Sequence, residues 1–200
     1  HISRRYFVNF ADGAAQINIP REMVYRFGKY IGDEKMMGLS AAIESKPEEV
    51  DIPQPLRRKI PALFIGKEFR AYKGNAPFER DVWLPDLQIM AARERGGTDA
   101  GLYLAVKGGN NGECHNHNDV GSCILFAEGC PGLIDVGVGT YTRTTFSDDR
   151  YSIWTMQSAY HNLPRIHGCM QEAGREYRAH QVSNRAGKAE ASLRMDIGTA

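Results

Sequence analysis

The densest run of chemically capable side chains is Gly108-Gly109-Asn110-Asn111-Gly112-Glu113-Cys114-His115-Asn116-His117-Asn118-Asp119. Glycine and asparagine at this density make a loop. Glycine reaches left-handed backbone conformations, and asparagine satisfies turns through its own side chain. His115, His117 and Asp119 fall at alternate positions, which share one face if the chain runs extended. Imidazole and carboxylate are the usual ligands of a borderline cation such as zinc. The same groups serve as general acid and base near neutral pH. Spacing alone leaves both chemistries open.

Further polar candidates follow. Asp135 interrupts the apolar run Gly132-Leu133-Ile134-Asp135-Val136. A carboxylate there needs a partner, a metal or an arginine, because burying it unpaired is costly. Extending a hairpin about Glu128-Gly129, with Ala127 facing Cys130, places Tyr141 opposite Asn116, between the two histidines. The same register sets Asp135 opposite Ser122, too far along for a metal shared with His117, so the ladder must break, and the bend at 118–121 is the expected place. His161, in Tyr160-His161-Asn162-Leu163-Pro164, can bring a third ligand from a distant segment, as zinc sites commonly require. His167 is a weaker candidate.

These residues need elements to hold them. Pro20 suits a first helical turn, and Met23, Phe27 and Ile31 recur at four-residue spacing, predicting a helix whose stripe is core. Gly32 supplies a stop and Asp33 a fresh N-cap, so a second helix follows over 34–44, ended by Pro47. Residues 47–80 carry five prolines and no strong periodicity, which predicts a linker or irregular stretch. It also carries a basic cluster, Arg57, Arg58, Lys59, Lys67, Arg70 and Lys73. From Trp83 onward the pattern is β. Strands are predicted over 87–93, 101–106, 122–127, 132–136 and 189–197, joined by glycine-rich turns. Successive antiparallel strands predict a mainly β chain with an antiparallel β-sandwich. Trp83 and Trp154 read as core.

The chain has 200 residues, with 25 Lys+Arg against 24 Asp+Glu and a formal charge of +1. That balance argues against a nucleic-acid binder, and no apolar run reaches the ~20 residues of a membrane helix. The cysteines, Cys114, Cys123, Cys130 and Cys169, form no CxxC pair, and they read as free thiols. The sequence starts at His1, and its last residues read like a strand in mid-course, so a piece of a longer protein is expected.

The runs HNHNDVGSCILFAEGCPGLIDVGVGTY and RYSIWTMQSAYHNLPRIHG resemble the heparinase II/III-like family of polysaccharide lyases. The preceding GLYLAVKGGNNGE and the stretch YFVNFAD, read as helical, fit the same family. The resemblance implies an N-terminal α/α toroid followed by a supersandwich-type β-sandwich. Residues 1–46 would be the toroid's terminal helices, 47–80 a linker and 81–200 an incomplete sandwich. It implies a structural zinc on His117, Asp135 and His161. It places His115 at the catalytic face and Tyr141 at the nearest match to a sandwich-domain tyrosine there. The family's main catalytic tyrosine, and the Asn or His that neutralises the substrate carboxylate, would lie upstream of His1. Cys114, Cys123 and His167 depart from the residues expected at their positions. The implied activity is β-elimination on a uronic-acid-containing polysaccharide, heparin-like or alginate-like, by a periplasmic or secreted bacterial enzyme. Its partner is an acidic polysaccharide. Two rivals stand beside it: a metal-dependent hydrolase or oxygenase built on His115, His117 and Asp119, and a non-catalytic carbohydrate-binding sandwich.

Overall fold

The computed structural model describes residues 1–17, 19–44 and 55–200. Helix α1 (Arg21–Ile31) ends on Gly32 at φ 72°, and α2 (Glu34–Ala42) begins on Asp33, whose side chain accepts from the Met36 amide. The expected Gly-Asp joint is therefore the observed one. The expected core stripe is not: Met23, Phe27 and Ile31 face outward. Helix α1 buries its other side. Gly28 admits Met37 of α2 at close range, and the Tyr25 ring packs between Phe69 and Tyr72. Four-residue periodicity finds an apolar stripe but does not say what covers it.

Residues expected to be irregular form a third helix, α3 (Leu56–Ala71), which tolerates Pro61 near its start. It locks onto α1 through Tyr25 and Lys29, both bonded to the Glu68 carboxylate. The described members of the basic cluster ride on α3 or just after it, while Pro47 lies outside the described residues.

The remainder is mainly β and antiparallel, the class expected. Strands β1 (Asp81–Leu84), β2 (Ile89–Arg93), β3 (Leu102–Lys107), β5 (Cys123–Ala127) and β6 (Cys130–Leu133) form one five-stranded sheet in the order β1-β2-β3-β5-β6. The two-residue β4 (Asn110–Asn111) pairs with β7 (Gly174–Arg178), and β8 (His180–Ala186) pairs with β9 (Ala191–Asp196). Strand β3 alternates, and its buried face carries Tyr103, Ala105 and Lys107. Tyr103 and Ala105 join Ile124, Phe126, Ile2 and Phe10 in one apolar cluster.

Ile2 and Phe10 come from residues 1–17, which are not helical, correcting the reading of YFVNFAD. Phe7 instead donates its amide to the Ala15 carbonyl, and a turn at Ala11 (φ 55°) follows. The segment lies on the sheet because its apolar side chains bury there. It is tied down by Arg93, a buried guanidinium that donates to the carbonyls of His1, Ile2, Glu79 and Thr98 between the Phe78 and Tyr103 rings. This seating delivers Asp12 to the histidine loop.

Ala127 faces Cys130 as expected, but the ladder breaks at a bulge between Leu125 and Phe126, earlier than the bend anticipated at 118–121. Strand β6 ends at Leu133, so Asp135 lies just past the strand rather than within it. The four cysteines are free.

Candidate metal centre and proton-handling face

The histidine loop is anchored from below. Lys107 ends β3 on its buried face, and its ammonium pairs with Asp119 and, at 3.3 Å, with Glu113. Burial opposes that charge, but the two carboxylates hold the lysine pKa above its ordinary value. Asp119 gives its Oδ1 to Lys107, while its Oδ2 is buried with no hydrogen-bond partner. Gly109, at φ 73°, turns the chain out of β3. Asn111 bonds Gln171 and Glu172, and the Asn118 amide bonds the Met156 carbonyl, so neighbouring segments lace the loop.

His115 and His117 do not share a strand face. His115 sits at φ 56°, in the left-handed region that non-glycine residues avoid and that recurs at functional sites. Its side chain is 60% exposed, whereas that of His117 is 0% exposed. What unites them is Asp12. Its Oδ2 meets His115 Nδ1 at 2.9 Å and accepts from the Tyr141 hydroxyl at 2.8 Å. Its Oδ1 meets His117 Nε2 at 3.0 Å and accepts from Arg150 Nη2 at 2.8 Å. Burial alone would raise the Asp12 pKa. The bonds from His115, Tyr141 and His117, with the Arg150 charge, hold it below the usual carboxylate range. Tyr141 is pushed up in turn by its bond to that carboxylate. Phe146 stands edge-on to both the His115 and Tyr141 rings. Arg150 also donates to the carbonyls of Asn116 and Thr145.

Behind this face lies the second group. Among the described residues, His117, Asp135 and His161 offer one ligand atom each, all within 4.8 Å of one another. The Asp135 and His161 side chains are 0% exposed and meet at 2.9 Å, Oδ2 to Nδ1. Asp135 is held by its other oxygen, which accepts from the Gly137 amide at 2.8 Å, in a turn that puts Gly137 at φ 68°. Asn162 spans the end of the ladder, donating to the Cys123 and Ile134 carbonyls and so aiming the next residue, Asp135, inward.

A cation fits this set. His117 Nδ1 is buried with no hydrogen-bond partner, an expensive state unless a metal takes its lone pair. The far nitrogens of both rings already have acceptors: Asp12 for His117 Nε2, and the Thr155 carbonyl, at 3.1 Å, for His161 Nε2. Metal-bound histidines are oriented in this way. Burial lowers the His117 pKa and so favours the neutral ring that ligates. Burial also works against a charged His161, but Asp135 beside it raises that pKa above the histidine norm. A cation there would replace the proton shared by the two.

Of the residues singled out from sequence, His117, Asp135 and His161 converge, His115 and Tyr141 meet at Asp12, and His167 is exposed in a separate turn. Tyr141 arrives through Asp12, since the hairpin ladder meant to carry it stops at Leu133. Asp12 and Arg150 were missed. The signal for Asp12 was present: it is an acidic residue ending an apolar run, the argument applied to Asp135. Trp154, read as core, is half exposed and stands edge-on to Tyr160.

No family model matches the chain, and no curated protein does. Solved structures do. The crystal structure of heparan sulfate lyase HepC from Pedobacter heparinus superposes with a TM-score of 0.58 at 17% identity, covering 98% of this chain and 26% of that one. A mutant of the same lyase gives 0.57 at 17% identity, with the same coverage. The chain thus shares its fold with about a quarter of the length of those lyases.

Proposed function

We propose that this chain is part of a polysaccharide lyase that cleaves a uronic-acid-containing polysaccharide by β-elimination. One observation carries the reading: a buried His117–Asp135–His161 group is joined through Asp12 to an exposed His115 and Tyr141, on a fold shared with a heparan sulfate lyase. In the same reading, helices α1, α2 and α3 close a helical toroid, residues 1–17 reach onto the sheet, and 81–200 open a β-sandwich. The enzyme works in the periplasm or outside a bacterial cell.

The reaction needs three services. A base takes the C5 proton of the uronate, the electron pair becomes the C4–C5 double bond, and the C4–oxygen bond breaks as an acid protonates the leaving oxygen. No water is consumed. The substrate carboxylate must be neutralised so that the C5 proton becomes acidic enough to leave. His115 and Tyr141 are the groups of this chain that touch substrate: His115 can take a proton at its free Nε2, and the Tyr141 hydroxyl, whose proton points to Asp12, offers its lone pairs. Arg150 gives three of its five N–H donors to Asp12 and two carbonyls and is mostly buried, and in this reading it holds the face together. His117, Asp135 and His161 hold a zinc ion, which supplies folding free energy and rigidity to the rim.

The test is to incubate the full-length protein with heparin, heparan sulfate, alginate and other uronate polymers and follow ultraviolet absorbance of the unsaturated product. Absorbance should rise with at least one polymer and with no added redox partner. Chain cleavage without an unsaturated end would overturn the reading. The half-exposed Trp154–Tyr160 pair favours one second reading, a carbohydrate-binding module, which predicts retention of polysaccharide with no cleavage at all.

A further inference from the structure

Asp12 makes four contacts, and they are not distributed at random over its two oxygens. Oδ1 serves the buried side, His117 and Arg150, while Oδ2 serves the exposed side, His115 and Tyr141. A carboxylate only accepts. Each imidazole must therefore turn an N–H toward it, which fixes the proton position on both rings. For His117 the proton goes to Nε2, and the lone pair is left on Nδ1, the buried atom without a partner. For His115 it goes to Nδ1, leaving Nε2 of an exposed ring free for substrate.

We propose that Asp12 is the positioning residue of this site, one carboxylate that sets the tautomers of His117 and His115 together and so couples the metal centre to the proton-handling face. The His117 half stands on the geometry alone. The half concerning His115 and Tyr141 rests on the lyase reading.

The arrangement makes Asp12→Asn an unusually selective probe. Arg150 can donate but not accept. In the variant the amide oxygen must face Arg150 and His117, and the amide NH2 then falls toward His115 and Tyr141. The metal side keeps its acceptor. The exposed side meets a donor where it had an acceptor, so His115 must move its proton to Nε2 or lose the bond. Asp12→Ala removes both sides.

The experiment uses the full-length protein, with zinc affinity measured by competition with a chromophoric chelator and kcat and KM measured on a cleaved uronate polymer. Histidine-selective nitrogen NMR reads the tautomers of the zinc-free protein at mildly alkaline pH. Expected are Nε2–H on His117 and Nδ1–H on His115 in the wild type. Asp12→Ala should weaken zinc binding by about 10- to 100-fold and lower kcat by a similar factor, the usual effect of losing a ligand-orienting carboxylate. Asp12→Asn should leave zinc affinity within about threefold, shift the His115 proton to Nε2 and lower kcat by about tenfold or more at nearly constant KM. A purely structural role would move zinc affinity and kcat together in both variants, and that result overturns the proposal. So does a wild-type His117 carrying its proton on Nδ1. If Asp12→Ala does not fold, the near-isosteric Asp12→Asn and the wild-type spectrum decide. If no uronate polymer is cleaved, the lyase reading fails, while the zinc and NMR arms still decide the His117 half.

Discussion

The side chains of this site are specified by what surrounds them. His117 and His115 are two residues apart, yet one is buried and the other largely open. Their variants should therefore part company. His117→Ala is expected to lose bound zinc and thermal stability together, since a structural metal contributes folding free energy. His115→Ala should keep zinc content and melting temperature while abolishing unsaturated-product formation by the full-length protein. Metal analysis and thermal melts on the two variants check this directly. Asp12 adds a pH dependence of definite sign. Its folded pKa is depressed, so the stabilisation it provides is complete above the unfolded carboxylate value of about 4 and is lost as pH falls through the depressed folded value. The stability gap between wild type and Asp12→Asn should hold at neutral pH and close in acid, as read from denaturant midpoints across that range.

Elements place these side chains by where they stop. Strand β6 ends at Leu133, a bulge has already shifted the ladder, and the Asn162 amide bridges the gap between Cys123 and Ile134. That bridge, with the left-handed turn at Gly137, aims Asp135 at His161. Asn162→Ala should cost about 1 kcal/mol, because two carbonyls lose their donor and one of them lies within reach of water. It should also weaken zinc binding without touching a ligand. Urea unfolding and zinc competition measure both. Strand β3 contributes in the same manner, since its alternation turns Lys107 under the loop, where it fixes Asp119. Helix α3 shows the converse. Proline count and weak periodicity hid it, because its partners, Tyr25 and Lys29, are distant in sequence.

At the scale of the whole molecule, one carboxylate and one candidate cation site draw together four stretches of chain, around 12, 115–117, 135 and 161. The apolar N-terminal segment lies on the sheet and brings the first of them. Zinc should therefore act as a tertiary cross-link. At zinc concentrations about 100-fold above its dissociation constant, unfolding free energy should rise by about 2.7 kcal/mol, and a chelator should reverse the gain. A melting temperature indifferent to zinc and chelator would count against the site. Among the described residues no helix is long and apolar enough to cross a membrane.

Local chemistry in the sequence sufficed for much of this. Gly32-Asp33 dictated the helical joint, apolar runs and alternation marked β2, β3, β5, β6 and β9 but not β1, β4, β7 or β8, and the Gly/Asn loop with its two histidines marked the candidate site. Those signals are short-range, carried by neighbouring residues. Tertiary structure alone decided which groups meet. Whether an apolar stripe such as Met23, Phe27 and Ile31 is covered, where a ladder breaks, and that Asp12 closes on His115 and His117 from a hundred residues away are set by packing between distant segments. Asp12 reaches the site because Ile2 and Phe10 are buried against the sheet.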